Sequence, residues 1–150
     1  MIVRNYMTTI VSTLQDDARL LDAALLIRRT GKRHVPVLNN DGAVVGIITD
    51  RDVSRVAPSM LAHITPEEYN EVFEITPITR AMTVNPIVIS PEASMREVVS
   101  ILYSKKIGAL PVVEAGKLVG ILTVSDALGL LNELLAREGE EGEAASAAAE

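Results

Sequence analysis

The sequence has no cysteine, and only 3% of its residues are aromatic. The absence of cysteine excludes disulfide bonds, thiolate nucleophiles and cysteine-based zinc sites. Because aromatic residues are scarce, Leu, Val, Ile and Ala must supply most of the core. They are sufficient for this purpose, since 48% of the chain is hydrophobic.

Long hydrophobic runs and an excess of basic residues are also missing. No apolar run approaches the roughly 20 residues that a membrane-spanning helix needs, and the N-terminus does not resemble a signal peptide. The net charge is −6, but residues 138–150 hold five acidic residues and no base, which leaves residues 1–137 with 15 acids against 14 bases. We therefore expect a cytoplasmic protein that binds neither membranes nor nucleic acids.

The chain repeats itself once. Residues 7–53 align with residues 82–127 at an offset of 75, which becomes 74 because the turn "NNDG" corresponds to the shorter "EAG". A shared order of residues with a single gap indicates duplication of one unit. The matched pairs include Met7/Met82, Thr8/Thr83, Pro36/Pro111, Gly46/Gly120, Thr49/Thr123 and Asp52/Asp126.

Each copy shows the pattern β-α-β-β-α. A short first strand (10–14 or 87–89) precedes a segment with apolar residues at helical spacing. Two strands then form a tight hairpin, and a second helix starts after Thr49 or Thr123. The hairpin strands are predicted at 34–38 and 43–49 in the first copy, and at 109–113 and 117–123 in the second. A unit of this size is marginal alone, so we expect an α+β fold in which two three-stranded repeats pack together.

The rest of the chain divides accordingly. We predict a first domain over residues 1–56, a connecting segment over 57–80, a second domain over 81–137 and a disordered acidic tail over 138–150. Within the connecting segment, Thr65 is a good N-cap and Pro66 suits the first helical position, which predicts a short helix.

The motif G-h-h-T-x-x-D, where h is a branched apolar residue, occurs in both copies as "GIITDRDV" (46–53) and "GILTVSDA" (120–127). One interpretation is a capping box, in which Thr caps a helix and Asp reaches back to the N–H of the cap. The other is a ligand site, since a carboxylate can hold a ribose diol and the free N–H groups of a helix N-terminus suit a phosphate. The two interpretations are compatible.

Two further matches complete a family resemblance. "HVPVLNNDGAVVGIITDRD" and "ALPVVEAGKLVGILTVSD" both join an apolar-Pro-Val strand to the Thr-x-x-Asp motif. The sequence thereby resembles a tandem pair of cystathionine-β-synthase (CBS) domains, a Bateman module. The resemblance implies two repeats related by a pseudo-two-fold axis, a disc-like homodimer, and regulatory binding of AMP, ADP, ATP or S-adenosylmethionine between the repeats.

The resemblance also implies which residues bind the nucleotide. Asp52 and Asp126 would bind ribose hydroxyls, and Thr49 and Thr123 would lie near the phosphates. Residues of the first strand and of the segment before the proline would hold the adenine. In this sequence they are Thr8, Val11, Val35, Thr83, Ile87, Gly108, Ala109 and Leu110.

The basic residues of the first copy allow two interpretations. The resemblance makes Arg33 and His34 candidates for phosphate binding, but they also fit a solvated basic helix end. Arg51 is likewise either a phosphate ligand or a surface charge. Because Val124 and Ser125 replace Asp50 and Arg51 in the second copy, we expect the two clefts to be unequal.

The last helix is apolar on more than one stripe, which favours either a homodimer or packing over the connecting helix. No residue pattern indicates catalysis or a metal site, so we do not expect an enzyme. Three hypotheses follow: an adenine-nucleotide sensor that acts on an unknown protein, a ligand-free interaction module, and a sensor of S-adenosylmethionine or a similar nucleoside.

Overall fold

The computed structural model describes residues 1–59 and 61–147, with side chains up to residue 139. The helices of this part of the chain are α1 (Leu20–Thr30), α2 (Asp50–Val56), α3 (Pro66–Ile75), α4 (Met95–Lys105) and α5 (Val124–Ala147). The strands are β1 (Leu14–Gln15), β2 (His34–Leu38), β3 (Val44–Thr49), β4 (Thr83–Val84), β5 (Ala109–Glu114) and β6 (Lys117–Thr123). Two short 3-10 helices, Val3–Asn5 and Ile78–Arg80, precede the two repeats.

The expected α+β class and the two hairpins are confirmed. Strands β2 and β3 pair antiparallel, as do β5 and β6. The expectation of one three-stranded sheet per repeat is wrong. One sheet has four strands in the order β1-β2-β3-β4, and the other consists of β5 and β6 alone. The extra strand β4 comes from the second repeat, although it pairs with β3 of the first.

The first strands are shorter than predicted over 10–14 and 87–89. Strand β1 has two residues, and its counterpart is a single bridge between Ile89 and Val112. The cause is that each of these segments is divided between two sheets. Thr8 bridges Ile121 of the second repeat before the chain reaches β1 beside β2. The residues in between cross from one sheet to the other, and Ile10 is 84% exposed.

The two repeats exchange their leading residues. Val3 lies in the core of the second repeat, and Ile78 lies in the core of the first; both are fully buried. The N–H of Val3 donates to the carbonyl of Ala93 at 2.9 Å, and the N–H of Ile78 donates to the carbonyl of Ala18 at 2.9 Å. These positions differ by 75 residues, the offset of the repeat, so the exchange is pseudo-symmetric.

Two glycines in the hairpins leave space for the exchanged segments. A Cβ added at Gly120 would lie 2.7 Å from the sulfur of Met7, and one at Gly46 would overlap the sulfur of Met82. The pairs Met7/Met82 and Gly46/Gly120, which the repeat alignment matches, are therefore in contact across the repeats. Each methionine packs on the glycine of the other copy.

The connecting helix is confirmed as α3. Thr65 accepts a hydrogen bond from the N–H of Glu68 at 3.2 Å, and Pro66 is the first helical residue. Phe73 of this helix packs against the core of the first repeat. In the described part of the chain, no helix has both the length and the hydrophobicity needed to cross a membrane.

Of residues 138–150, which were predicted to be disordered, residues 138–147 belong to a helix. Helix α5 continues to Ala147, and residues 148–150 lie outside the described part. Ala and Glu are strong helix formers, and adding residues to an existing helix avoids the cost of nucleation. Polarity alone was thus a poor guide to this segment.

The exchange makes a testable prediction about stability. Val3→Ala removes two methyl groups from the core of the second repeat, although Val3 precedes the first. We expect the free energy of unfolding to fall by about 1–3 kcal/mol, as measured by urea denaturation. Ile10→Ala, at an exposed position of the same leading segment, should change it little. Equal stability of Val3→Ala and the unaltered chain would contradict the exchange.

Candidate ligand-binding clefts

Two clefts lie between the repeats, where β3 leads into α2 and β6 leads into α5. The first has a volume of about 670 Å³ and the second about 550 Å³. Both repeats contribute to each cleft. The first cleft combines Thr49, Arg51 and Asp52 with Thr83, Ile87 and Ala109. The second combines Thr123 and Asp126 with Thr8, while Arg33, His34 and Gly108 line both clefts.

Three residues predicted to bind the ligand line neither cleft. The side chains of Val35 and Leu110 are fully buried, one in each core. Successive residues of a strand point to opposite faces, so that His34 and Ala109 face the clefts while their successors face inward. Val11 packs in a third, smaller apolar cluster between the repeats. The structure thus gives these three side chains a packing role.

The capping interpretation of the Thr-x-x-Asp motif is realised in both copies. A carboxylate oxygen of Asp52 accepts from the N–H of Thr49 at 2.9 Å, and the Thr49 hydroxyl accepts from the N–H of Asp52 at 3.2 Å. The corresponding distances for Thr123 and Asp126 are 2.7 and 3.3 Å.

The cap uses only one oxygen of each carboxylate. The other oxygen of Asp52 lies 3.4 Å from the guanidinium of Arg55. The Asp52 side chain is almost fully buried, whereas the Arg55 side chain is exposed. The other oxygen of Asp126 has no partner among the described residues. Each carboxylate therefore keeps an oxygen with which it could accept a hydrogen bond from a ligand hydroxyl.

The free N–H groups expected at the start of α2 are already occupied. The N–H of Asp50 donates to the carbonyl of Arg33 at 3.3 Å, and the N–H of Arg51 donates to the carboxylate of Asp50 at 3.0 Å. The carboxylate of Asp50 thus uses an N–H group that a phosphate could otherwise have bound. Anion binding in the first cleft must depend on basic side chains instead.

The structure adds two basic residues to those predicted. Arg55 lines the first cleft one helical turn after Arg51, a spacing that places both on one face of α2. Lys32 lines the second cleft, where its ammonium donates to the carbonyl of Ile10 at 2.9 Å. Under the repeat alignment, Ser125 and Gly129 replace Arg51 and Arg55 in the second copy. The inequality expected between the clefts therefore extends over a full turn of the helix.

His34 is half-buried at the junction of the two clefts. Burial lowers the pKa of its imidazole below the ordinary value of 6.5; Asp50 opposes this effect and Arg33 adds to it. The ring packs directly on Gly108, where an added Cβ would overlap it. Gly108 therefore fixes the position of His34, which sequence reasoning did not anticipate.

The described residues contain no group of three or more histidine, aspartate or glutamate side chains placed to hold a metal ion. The polar groups of the clefts are instead carboxylates, hydroxyls and basic side chains. Apolar walls accompany them in the first cleft, including Ile47, Ile87 and Ile107. This combination suits an organic ligand with both hydroxyl and anionic groups.

Paired β-α-β-β-α repeats with a Thr-x-x-Asp helix start in each cleft define the class of the molecule. The CBS domain model matches residues 3–59 and 74–133, and the chain belongs to the CBS domain family. The curated relatives differ in length: the chain spans 93% of one of them, but only 21% to 65% of seven others.

Solved structures share this fold. A provisionally named acetoin utilization protein (AcuB) from Vibrio cholerae is 31% identical, with a TM-score of 0.75 over 93% of this chain and 96% of that one. CBSX2, solved in complex with AMP, is 23% identical, with a TM-score of 0.72 over 89% and 97%. The CBS domain pair of MJ0100, solved with 5′-methylthioadenosine and S-adenosyl-L-methionine, is 22% identical, with a TM-score of 0.73 over 89% and 97%.

The lowered pKa of His34 makes stability depend on pH. The unfolded chain binds a proton near pH 6.5 that the folded chain takes up only at lower pH, so the free energy of unfolding should fall as the pH is lowered from about 7 to 5. His34→Gln should flatten this part of the profile, as measured by thermal denaturation. His63→Gln, at the exposed histidine of the connecting segment, should keep the original profile. An unchanged slope in His34→Gln would contradict the assignment.

The capping boxes make a second prediction. Asp52→Ala and Asp126→Ala should each lower the free energy of unfolding without ligand by about 0.5–2 kcal/mol, the range of helix-cap losses. Urea denaturation measures this effect. Ser125→Ala is the control, because the Ser125 side chain makes no hydrogen bond within the described residues. If the aspartate variants were as stable as the control, the caps would have no structural role.

Proposed function

We propose that the chain is a regulatory protein that binds an adenine nucleotide (AMP, ADP or ATP) between its repeats. The observation that carries this proposal is the composition of the first cleft. It brings the carboxylate of Asp52 together with the basic side chains of Arg33 and Arg51, beside an apolar wall. A ribose diol, a phosphate and an aromatic base are the three parts of a nucleotide that match these groups.

Each part of the cleft fits one part of the ligand. The carboxylate oxygen of Asp52 that the helix cap does not use also contacts Arg55, and it can accept a further hydrogen bond from a ribose diol, as acidic residues do in dinucleotide sites. Arg51 and Arg33 offer planar guanidinium groups, which suit phosphate. Ile87 and Ala109 come from the second repeat, and with Ile47 they form an apolar surface for a base.

Regulation would follow from the position of the cleft. A ligand that contacts both repeats stabilises the arrangement in which both sets of contacts form. A partner protein that binds this arrangement better than others would then respond to the nucleotide. The role that we propose is regulatory rather than catalytic.

A nucleoside such as S-adenosylmethionine is a second candidate. It is favoured by the MJ0100 domain pair, which shares the fold and was solved with S-adenosyl-L-methionine. Such a ligand has no phosphate, and its methionine carboxylate carries a single negative charge beside a positive ammonium and sulfonium. It would therefore give Arg33 and Arg51 a weaker anionic partner than the phosphate of a nucleotide. The basic side chains of the first cleft therefore favour a nucleotide.

A homodimer remains a further prediction. An apolar groove of about 400 Å³ lies between α4 and α5, and Tyr103, Leu128 and Leu131 are exposed along it. A second copy that covered this groove would remove apolar surface from water. If the clefts were to bind no ligand, this surface would carry the alternative function of an interaction module.

A thermal-shift screen tests the proposed function. A ligand at about 100 times its dissociation constant should add about 2.7 kcal/mol to the free energy of unfolding. We expect AMP, ADP or ATP to raise the melting temperature more than S-adenosylmethionine or GMP.

Arg51→Ala should lose most of the shift, whereas Arg29→Ala, which removes an exposed arginine of α1 outside both clefts, should retain it. A larger shift with S-adenosylmethionine would support the nucleoside alternative. No shift with any of these ligands would refute both forms of the sensor proposal.

A further inference from the structure

The two clefts share one wall, and we propose that a phosphorylated ligand in one cleft weakens the binding of a second in the other. This inference rests on the proposed nucleotide binding. It concerns how the two clefts act together: the chain would bind one nucleotide tightly and a second only at a higher concentration.

The shared wall consists of Arg33, His34, Gly108 and Val124, each of which lines both clefts. Its basic side chains come from the first repeat alone. In the repeat alignment Gly108 corresponds to Arg33, and Ala109 corresponds to His34. The second repeat therefore has two uncharged residues, Gly108 and Ala109, where the first repeat has its two basic residues.

The remaining charges of each cleft balance. Besides Arg33, the first cleft is lined by two bases, Arg51 and Arg55, and two acids, Asp50 and Asp52. The second cleft is lined by one further base, Lys32, and one acid, Asp126. If the charged side chains that line each cleft are counted among the described residues, each cleft has one more positive charge than negative charges. In both clefts this additional positive charge is the guanidinium of Arg33. A guanidinium binds a phosphate best through two parallel hydrogen bonds, and this geometry serves one phosphate at a time.

His34 cannot easily compensate for the shared arginine. Its ring occupies the space that the missing side chain of Gly108 leaves, so its position is set by packing. A ring held between two clefts can turn a given N–H toward one ligand only. Two phosphates on opposite sides of this wall would also repel each other, because partial burial reduces the screening of their charges.

A thermodynamic cycle measured by isothermal titration calorimetry with AMP tests the inference. Asp52→Asn disables ribose binding in the first cleft but keeps an acceptor for the helix cap, and Asp126→Asn does the same in the second. We expect the second AMP to bind the unaltered chain more weakly than AMP binds the weaker of the two single-cleft variants. The difference should lie in the usual range of coupling between sites, about 5- to 150-fold.

Two controls assign the coupling to the wall. With Arg33→Ala in every chain compared, the second step should have the same dissociation constant as the single-cleft variants, because neither cleft then has Arg33 to lose; Arg29→Ala should leave the difference in place. Adenosine, which lacks the phosphate, should show no difference between the second step and the single-cleft variants.

Each outcome separates the two proposals. Equal affinities for the second step and the single-cleft variant would mean independent clefts, which overturns the coupling and leaves nucleotide binding intact. Binding in Asp126→Asn but none in Asp52→Asn would mean one functional cleft, with the same consequence. If neither the unaltered chain nor any variant binds AMP, the failure lies with the proposed function.

Discussion

The structure depends on the exchange of two short segments between its repeats. Val3 completes the core of the second repeat, and Ile78 completes the core of the first. Each core is therefore incomplete without residues from the other half of the chain, which fixes the orientation of the repeats. The clefts lie between the repeats, and their geometry follows from this exchange. A helix start that would otherwise be only a capping box thereby becomes one side of a pocket.

The two clefts have the same backbone plan but different charges. Thr-x-x-Asp starts a helix in each, and the cap uses one carboxylate oxygen and leaves the other. The charges of the two clefts differ because of the variable residues within and after the motif. Arg51 and Arg55 lie on α2, whereas Ser125 and Gly129 take their places on α5. Duplication supplied two similar pockets, and substitution at a few positions made them unequal.

Local sequence patterns predicted the parts of the fold that local interactions determine. The hairpins, the Thr65 cap and both Thr-x-x-Asp helix starts depend on residues close together in the chain. The exchange of Val3 and Ile78 could not be predicted in this way, because its hydrogen bonds join residues 60 positions apart (Ile78 with Ala18) and 90 positions apart (Val3 with Ala93). Contacts between distant residues also explain which features of the site could not be predicted. Most cleft residues follow from the repeat, but the contact of His34 with Gly108 exists only after both repeats are assembled.

We propose above that an adenine nucleotide binds between the repeats. Mapping of backbone amide chemical shifts during a titration with AMP tests it most directly, because it locates the ligand residue by residue. If the nucleotide binds there, we expect saturable shifts at Thr49, Arg51, Asp52, Gly108 and Ala109, with little change along the groove between α4 and α5. Saturable shifts confined to that groove, or no shifts at millimolar AMP, would contradict it.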